Sequence, residues 1–251
     1  MKKMIEKALS VFLEKGKEIE GVYDLLVRGG GANEESCVEN WSDLDLSVIV
    51  ERIFVRVHNQ VKDLYTEIKK VFPYKLSITF ASKEDYLSPS HHHGIKPIHY
   101  TYHLPEARSL LKGMLPSYTP LSLEQQQIDC FYHTAYLIHE LRKNYLHLEM
   151  EDSDKAAIFL RHLIKRAKHY IRDVLFILTG VSREEIDLDL FRKWFPELDP
   201  LFPDKLDKMK KRFPNLNLEA SIEGILETVE WMHELFLLKR TQNPQNIYSA
   251  S

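Results

Sequence analysis

The chain has 251 residues, 44% of them apolar and 28% charged, with a formal net charge of −3. That apolar content excludes global disorder. The near-neutral balance gives the protein no overall field for binding nucleic acid or an acidic membrane surface, so neither is expected as a partner.

Residues 4–15 place Met4, Ile5, Leu9, Phe12 and Leu13 at helical spacing and predict an amphipathic helix. The opening Met1-Lys2-Lys3 resembles the start of a signal peptide, but Glu6, Lys7, Glu14 and Lys15 interrupt the apolar run. No stretch of eighteen uncharged apolar residues follows, so no membrane helix is expected. Val22 to Val27 reads as a short strand, ended by Arg28 and the glycines Gly29, Gly30 and Gly31. A polar stretch leads to Asp43-Leu44-Asp45-Leu46-Ser47-Val48-Ile49-Val50, which begins with alternation, ends fully apolar and suits a central strand.

A helix is predicted over 54–71, and a strand where Leu76, Ile78 and Phe80 alternate with Lys75, Ser77 and Thr79. A histidine-containing loop follows, then an edge strand over 98–104 and a helix over 105–113 opened by Pro105. Pro116, Ser117 and Pro120 mark a domain boundary, giving 1–117 and 118–251. Beyond it, 122–148, 154–180 and 217–240 are long, nearly glycine-free helical segments, with two shorter helices between the last two. The fold class is α+β: a mixed sheet of four to five strands flanked by helices, followed by a helical bundle. Cys37 and Cys130 lie far apart and form no CxxC unit, so a reducing compartment, the cytoplasm, is expected.

The chemistry concentrates between Val22 and Val50. Residues two apart on a strand face the same way, so Asp43 and Asp45 share one side and Leu44 and Leu46 the other. Two carboxylates this close repel unless a cation lies between them. Hard oxygen ligands favour Mg²⁺, which commonly takes substrate phosphates among its remaining ligands. A glycine turn just upstream lets backbone N–H groups approach those phosphates.

Glycine turn, polar loop and Asp-x-Asp on the next strand together resemble the nucleotidyltransferases of the polymerase-beta-like superfamily. The stretch Gly29-Gly30-Gly31-Ala32-Asn33, with Ser42-Asp43-Leu44-Asp45-Leu46-Ser47, looks most like the aminoglycoside 6-adenylyltransferase branch. A helical second half is also what antibiotic nucleotidyltransferases carry. The resemblance implies Mg²⁺ on Asp43 and Asp45, phosphates of ATP or another NTP cradled by Gly29, Gly30 and Gly31, and Ser42 supporting the turn. It further implies transfer of a nucleoside monophosphate to a hydroxyl of a small-molecule acceptor. The family usually carries a third carboxylate on a neighbouring strand. Aligned by strand pattern, that position falls on Lys75, which binds a phosphate, acts as a base at a depressed pKa, or marks a site that has lost catalysis. The alternative reading is therefore a degenerate transferase that binds nucleotide or a protein partner without turnover.

Other clusters carry less. Adjacent histidines such as His91-His92-His93 do not readily converge on one tetrahedral ion, and the triplet reads as a loop. Arg161, His162, Arg166 and His169 read as a basic helix face, with Lys165 and Lys168 as candidate phosphate contacts. Glu149, Glu151 and Asp152 read as an acidic surface loop. A homodimer is compatible with the sequence but not encoded legibly in it.

Overall fold

A computed structural model describes residues 2–28, 44–87, 107–113, 121–182 and 185–242. Gly29 to Gly31, Ser42, Asp43, the histidine loop and the strand expected over 98–104 lie outside the described residues. The chain divides into two compact units, Met1–Leu121 and Ser122–Ser251.

The first unit runs α1 (Lys2–Gly16), β1 (Val22–Arg28), β2 (Leu44–Val50), α2 (Val55–Val71), β3 (Leu76–Ser82), α3 (Lys83–Leu87) and β4 (Arg108–Ser109). The four strands form one mixed sheet in the order β3-β2-β1-β4. β1 is antiparallel to both β2 and β4, and β3 is parallel to β2. The expected central strand is therefore central.

Strand alternation gives the sheet two unlike faces. Leu25, Val27, Leu44, Leu46, Val48 and Val50 point to one side and bury against Ile5, Ala8 and Phe12 of α1 and Val57, Leu64 and Ile68 of α2. Each such aliphatic side chain contributes about 1.5–3 kcal/mol on burial. α1 ends against β1 at Gly16, where an added Cβ would come within 2.6 Å of Leu25 Cδ1, so a larger residue there would force the Leu25 side chain to shift within the core. The opposite face carries a smaller apolar patch of Leu26, Ile49, Ala81 and Tyr86.

One predicted element differs. Residues 107–113 do not form a helix: Arg108 and Ser109 pair with Val27 and Leu26 of β1. Tertiary contacts override the local helical pattern. The Leu110 amide donates to the Leu25 carbonyl at 2.8 Å, and the Ser109 hydroxyl to the Asp24 carboxylate at 2.8 Å.

The second unit is helical: α4 (Leu123–Leu146), α5 (Ser153–Thr179), α6 (Leu188–Trp194), α7 (Phe202–Arg212), a 3-10 turn over Phe213–Asn215 and α8 (Leu218–Gln242). Its helix starts are written locally. Ser122 and Gln125 form a reciprocal capping box on α4, Asp152 caps α5, and Asp187 caps α6. Gly180 stops α5 in the left-handed conformation at φ 68°. α5 is the central rod, buried at Phe159, Leu160, Leu163, Ile164, Ala167, Ile171 and Val174 among others. Among the described residues, no helix is long and apolar enough to cross a membrane.

Candidate active site

The less apolar sheet face bears the candidate site. Asp45 opens it near the start of β2, followed on the same side by Ser47. β3 lies beside β2 in parallel register, pairing Asp45 with Ser77 and Ser47 with Thr79. β1 contributes from the other side, with Arg28 the cross-strand partner of Asp45. Directly opposed residues of an antiparallel pair have Cβ atoms about 4.5–5.5 Å apart, so these opposite charges attract.

Arg28 is 5% exposed. Its Nη2 donates to the Thr79 hydroxyl at 2.6 Å. Because β2 lies between β1 and β3, the Arg28 side chain crosses over β2 to reach Thr79. Burial lowers the guanidinium pKa, and the Asp45 charge works against that shift. A guanidinium stays protonated under all ordinary conditions, so the site holds a fixed positive charge.

Further along the same face, Asp24 is fully buried. Its Oδ1 accepts from the Leu25 amide and the Ser109 hydroxyl, both at 2.8 Å. Burial raises its pKa; these hydrogen bonds and the charge of Lys112 oppose the rise. Asp24 follows a register shift in β1, between Val22 and Asp24. Four residues of strand, about 13 Å, separate it from Arg28, so it secures β4 rather than joining the Asp45 cluster.

Lys75 precedes β3 by one residue, is exposed, and accepts the Leu44 amide on its carbonyl at 3.0 Å. Continued alternation assigns it to the face of Ser77 and Thr79. The strand beside Asp45 thus offers Lys75, Ser77 and Thr79 on the site face, and no carboxylate. Asp85, at the turn into α3, accepts from the Ser82 amide and hydroxyl at 3.2 and 2.7 Å.

These donors decide what metal chemistry the face can support. Guanidinium and ammonium groups have no lone pair to give, and hydroxyls are weak ligands. No cluster of three His, Cys, Asp or Glu stands together among the described residues. Among the described residues, Asp45 is the carboxylate that this end of the face offers to a divalent ion, and β3 beside it supplies no second one.

In the helical unit part of the expected basic face is engaged with acids. Lys168 is ion-paired with Asp207, and Arg166 lies 3.8 Å from Glu140. Arg161 sits 5.7 Å from the centre of the Phe213 ring. Lys168 also lines a groove of about 510 Å³ with Arg172 and Arg192, but Asp187, Asp189, Asp204 and Asp207 line it too. That mixed lining does not select phosphate. Of the acidic loop, Glu149 pairs with Lys155, while Asp152 caps α5.

Sequence reasoning missed Arg28, Ser77 and Thr79 as site residues. Alternation along Asp24, Leu26 and Arg28 was a usable signal for Arg28. Its position beside three glycines disguised it as the start of a turn.

The four-stranded mixed sheet flanked by helices, with further helices after it, has the nucleotidyltransferase fold. In that fold the chain is similar to the spectinomycin adenyltransferase AAD(9) of Enterococcus faecialis, whose crystal structure contains ATP and spectinomycin. The TM-score is 0.57 at 11% identity, over 92% of this chain and 99% of that one, more than either unit alone could supply. No protein-family model and no curated protein sequence matches the chain.

Proposed function

We propose that the protein transfers a nucleoside monophosphate, AMP from ATP in the first instance, to a hydroxyl of a small-molecule acceptor. The observation that carries this reading is Asp45 on the polar face of a nucleotidyltransferase-fold sheet, with Asp43 two residues before it in the sequence. The fold's similarity to a protein solved with ATP and an antibiotic supports both substrate classes.

In this reading Asp43 and Asp45 hold Mg²⁺, which when bound neutralises phosphate charge and stabilises the leaving pyrophosphate. Gly29, Gly30 and Gly31 present backbone amides to the phosphates, and Ser42 supports that turn. Lys75, exposed beside the site, supplies a positive charge for the departing phosphates. Lys165 and Lys168 are the proposed phosphate contacts of the helical unit, and Lys168 would exchange its ion pair with Asp207 for one with phosphate.

The test is pyrophosphate release from labelled ATP with Mg²⁺ and a panel of aminoglycosides and aminocyclitols, spectinomycin included. Asp43→Asn should abolish release, and full activity in that variant would sink the assignment. A second reading, nucleotide binding without turnover, is favoured by Arg28 and Lys75, two cations where a transferase gains from carboxylates. Calorimetric ATP binding with no pyrophosphate from any acceptor would establish it instead.

A further inference from the structure

Asp45 faces a cation that belongs to the protein. Arg28 is its cross-strand partner, is buried, and is anchored at its far end by the hydrogen bond to Thr79. The anchor draws the side chain over β2, along the Asp45–Ser47 edge of the site. A second divalent ion would have to bind against this fixed charge, with no further carboxylate on β3 to offset it.

We propose that Arg28 is the resident counter-cation of the site: it neutralises Asp45 from within the sheet, takes the place of a second metal ion, and limits the site to one divalent cation. Arg28 touches neither nucleotide nor acceptor in this scheme. It is a positioning residue that acts through Asp45 and through its field. The proposal refines the metal stoichiometry of the function proposed above and rests on that reading for the identity of the site.

The charge argument gives opposite signs for two ligands. A divalent cation at Asp45 is repelled by Arg28, whereas a polyphosphate anion is attracted. Over ~6 Å, even in a water-like dielectric, a unit charge acting on a dication changes affinity about tenfold, and a partly buried pair exceeds this. A merely structural role would lower both affinities on substitution, because a damaged sheet binds everything less well.

The experiment uses the full chain without nucleotide. Mn²⁺ binding is followed by the paramagnetic resonance of the free ion, and inorganic tripolyphosphate binding by calorimetry in EDTA. Arg28→Gln should tighten Mn²⁺ at least about tenfold and weaken tripolyphosphate several-fold, while Arg28→Lys keeps both near wild type. Weaker or unchanged Mn²⁺ binding in a folded Arg28→Gln overturns the proposal. The wild type needs no variant: with a saturating non-hydrolysable ATP analogue, one Mn²⁺ per chain is expected, and two overturn it. Absence of analogue binding would sink the nucleotidyltransferase reading, yet the nucleotide-free Mn²⁺ comparison would still decide the role of Arg28.

Discussion

Two polar clusters, one in each unit, solve the same electrostatic problem differently. In the helical unit, Arg142 and Glu230 meet in a two-point hydrogen bond of 2.8 and 2.6 Å. Tyr170 and His233 lie beside them, 2.6 Å apart. Burial raises the Tyr170 pKa, so its hydroxyl keeps its proton in the hydrogen bond it shares with His233 Nδ1. Each charge there has a partner in fixed geometry, and both charged side chains remain partly open to water. On the sheet, the cation Arg28 is buried while the anion Asp45 is only half-buried. A carboxylate whose cation lies buried in the sheet can take a further cation from solvent; one with both oxygens on a single guanidinium has less to offer. The two-point pair ties α4 to α8, and the asymmetric one leaves Asp45 available for the proposed metal.

The largest expected effect breaks that comparison most directly. Asp45→Asn should abolish transfer and also destabilise the first unit by about 2–4 kcal/mol, because it removes a negative charge that favours the buried guanidinium. Glu230→Gln, at a pair exposed enough for solvent to screen it, should cost only about 1 kcal/mol. Urea midpoints give both numbers. Adding Arg28→Gln to Asp45→Asn should restore much of the lost stability, as a double-mutant cycle reads directly. Equal costs at Asp45 and Glu230 would mean that the two clusters do not differ in kind.

A smaller effect sharpens the helical side. Burial, and then the charge of Arg142, depress the His233 imidazole below its ordinary value of 6.5, against the opposing charges of Glu230 and Glu234. Tyr170 faces it from α5. A histidine whose folded pKa lies below its unfolded value binds protons more readily when unfolded. Its contribution to stability is therefore complete above pH 6.5 and is lost as pH falls below that toward the folded value. The carboxylate of Glu230, held down by Arg142, titrates in the same sense but only below its ordinary 4.5. Between pH 6.5 and 5 the two are thus separable. Stability should decline over that window in the wild type and decline less in His233→Gln. Parallel profiles would remove His233 from the cluster.

The sequence was legible where structure is local and periodic. The strand 22–27, the central strand through Asp45, the strand at Leu76 and all three long helices follow from spacing, and the caps at Ser122, Asp152 and Gly180 are written in adjacent residues. Missed features depend on partners distant in the chain. β4 has only two residues and exists because Ser109 reaches Asp24, 85 positions away. Arg28 acquires its meaning from strand order: Asp45 opposes it only in the antiparallel register, and Thr79 lies 51 positions away on β3. Alternation can say that Asp45 and Arg28 each have a face. It cannot say that the faces coincide. The same holds for the neighbour of Asp45 on β3, which register makes Ser77.

Lys75 gives the smallest effect and separates buried from exposed charge at one site. It is exposed, whereas Arg28 is buried, and strand alternation assigns both to the face of Asp45. A solvated ammonium acts through water and through salt. At physiological ionic strength its field falls off over about 8 Å, and at 1 M over about 3 Å. Lys75→Glu should therefore tighten Mn²⁺ a few-fold at about 20 mM salt and hardly at all at about 500 mM. The Arg28→Gln gain should persist at both, because ions cannot enter between strands to screen it. Ser77→Asp puts a carboxylate directly beside Asp45 and should exceed Lys75→Glu in the same titration. If Lys75→Glu leaves Mn²⁺ affinity unchanged at low salt, the lysine does not face the carboxylates. Arg28 would then be left as the cation that sets the charge of this face, and the strongest sequence-level argument for a degenerate site would be gone.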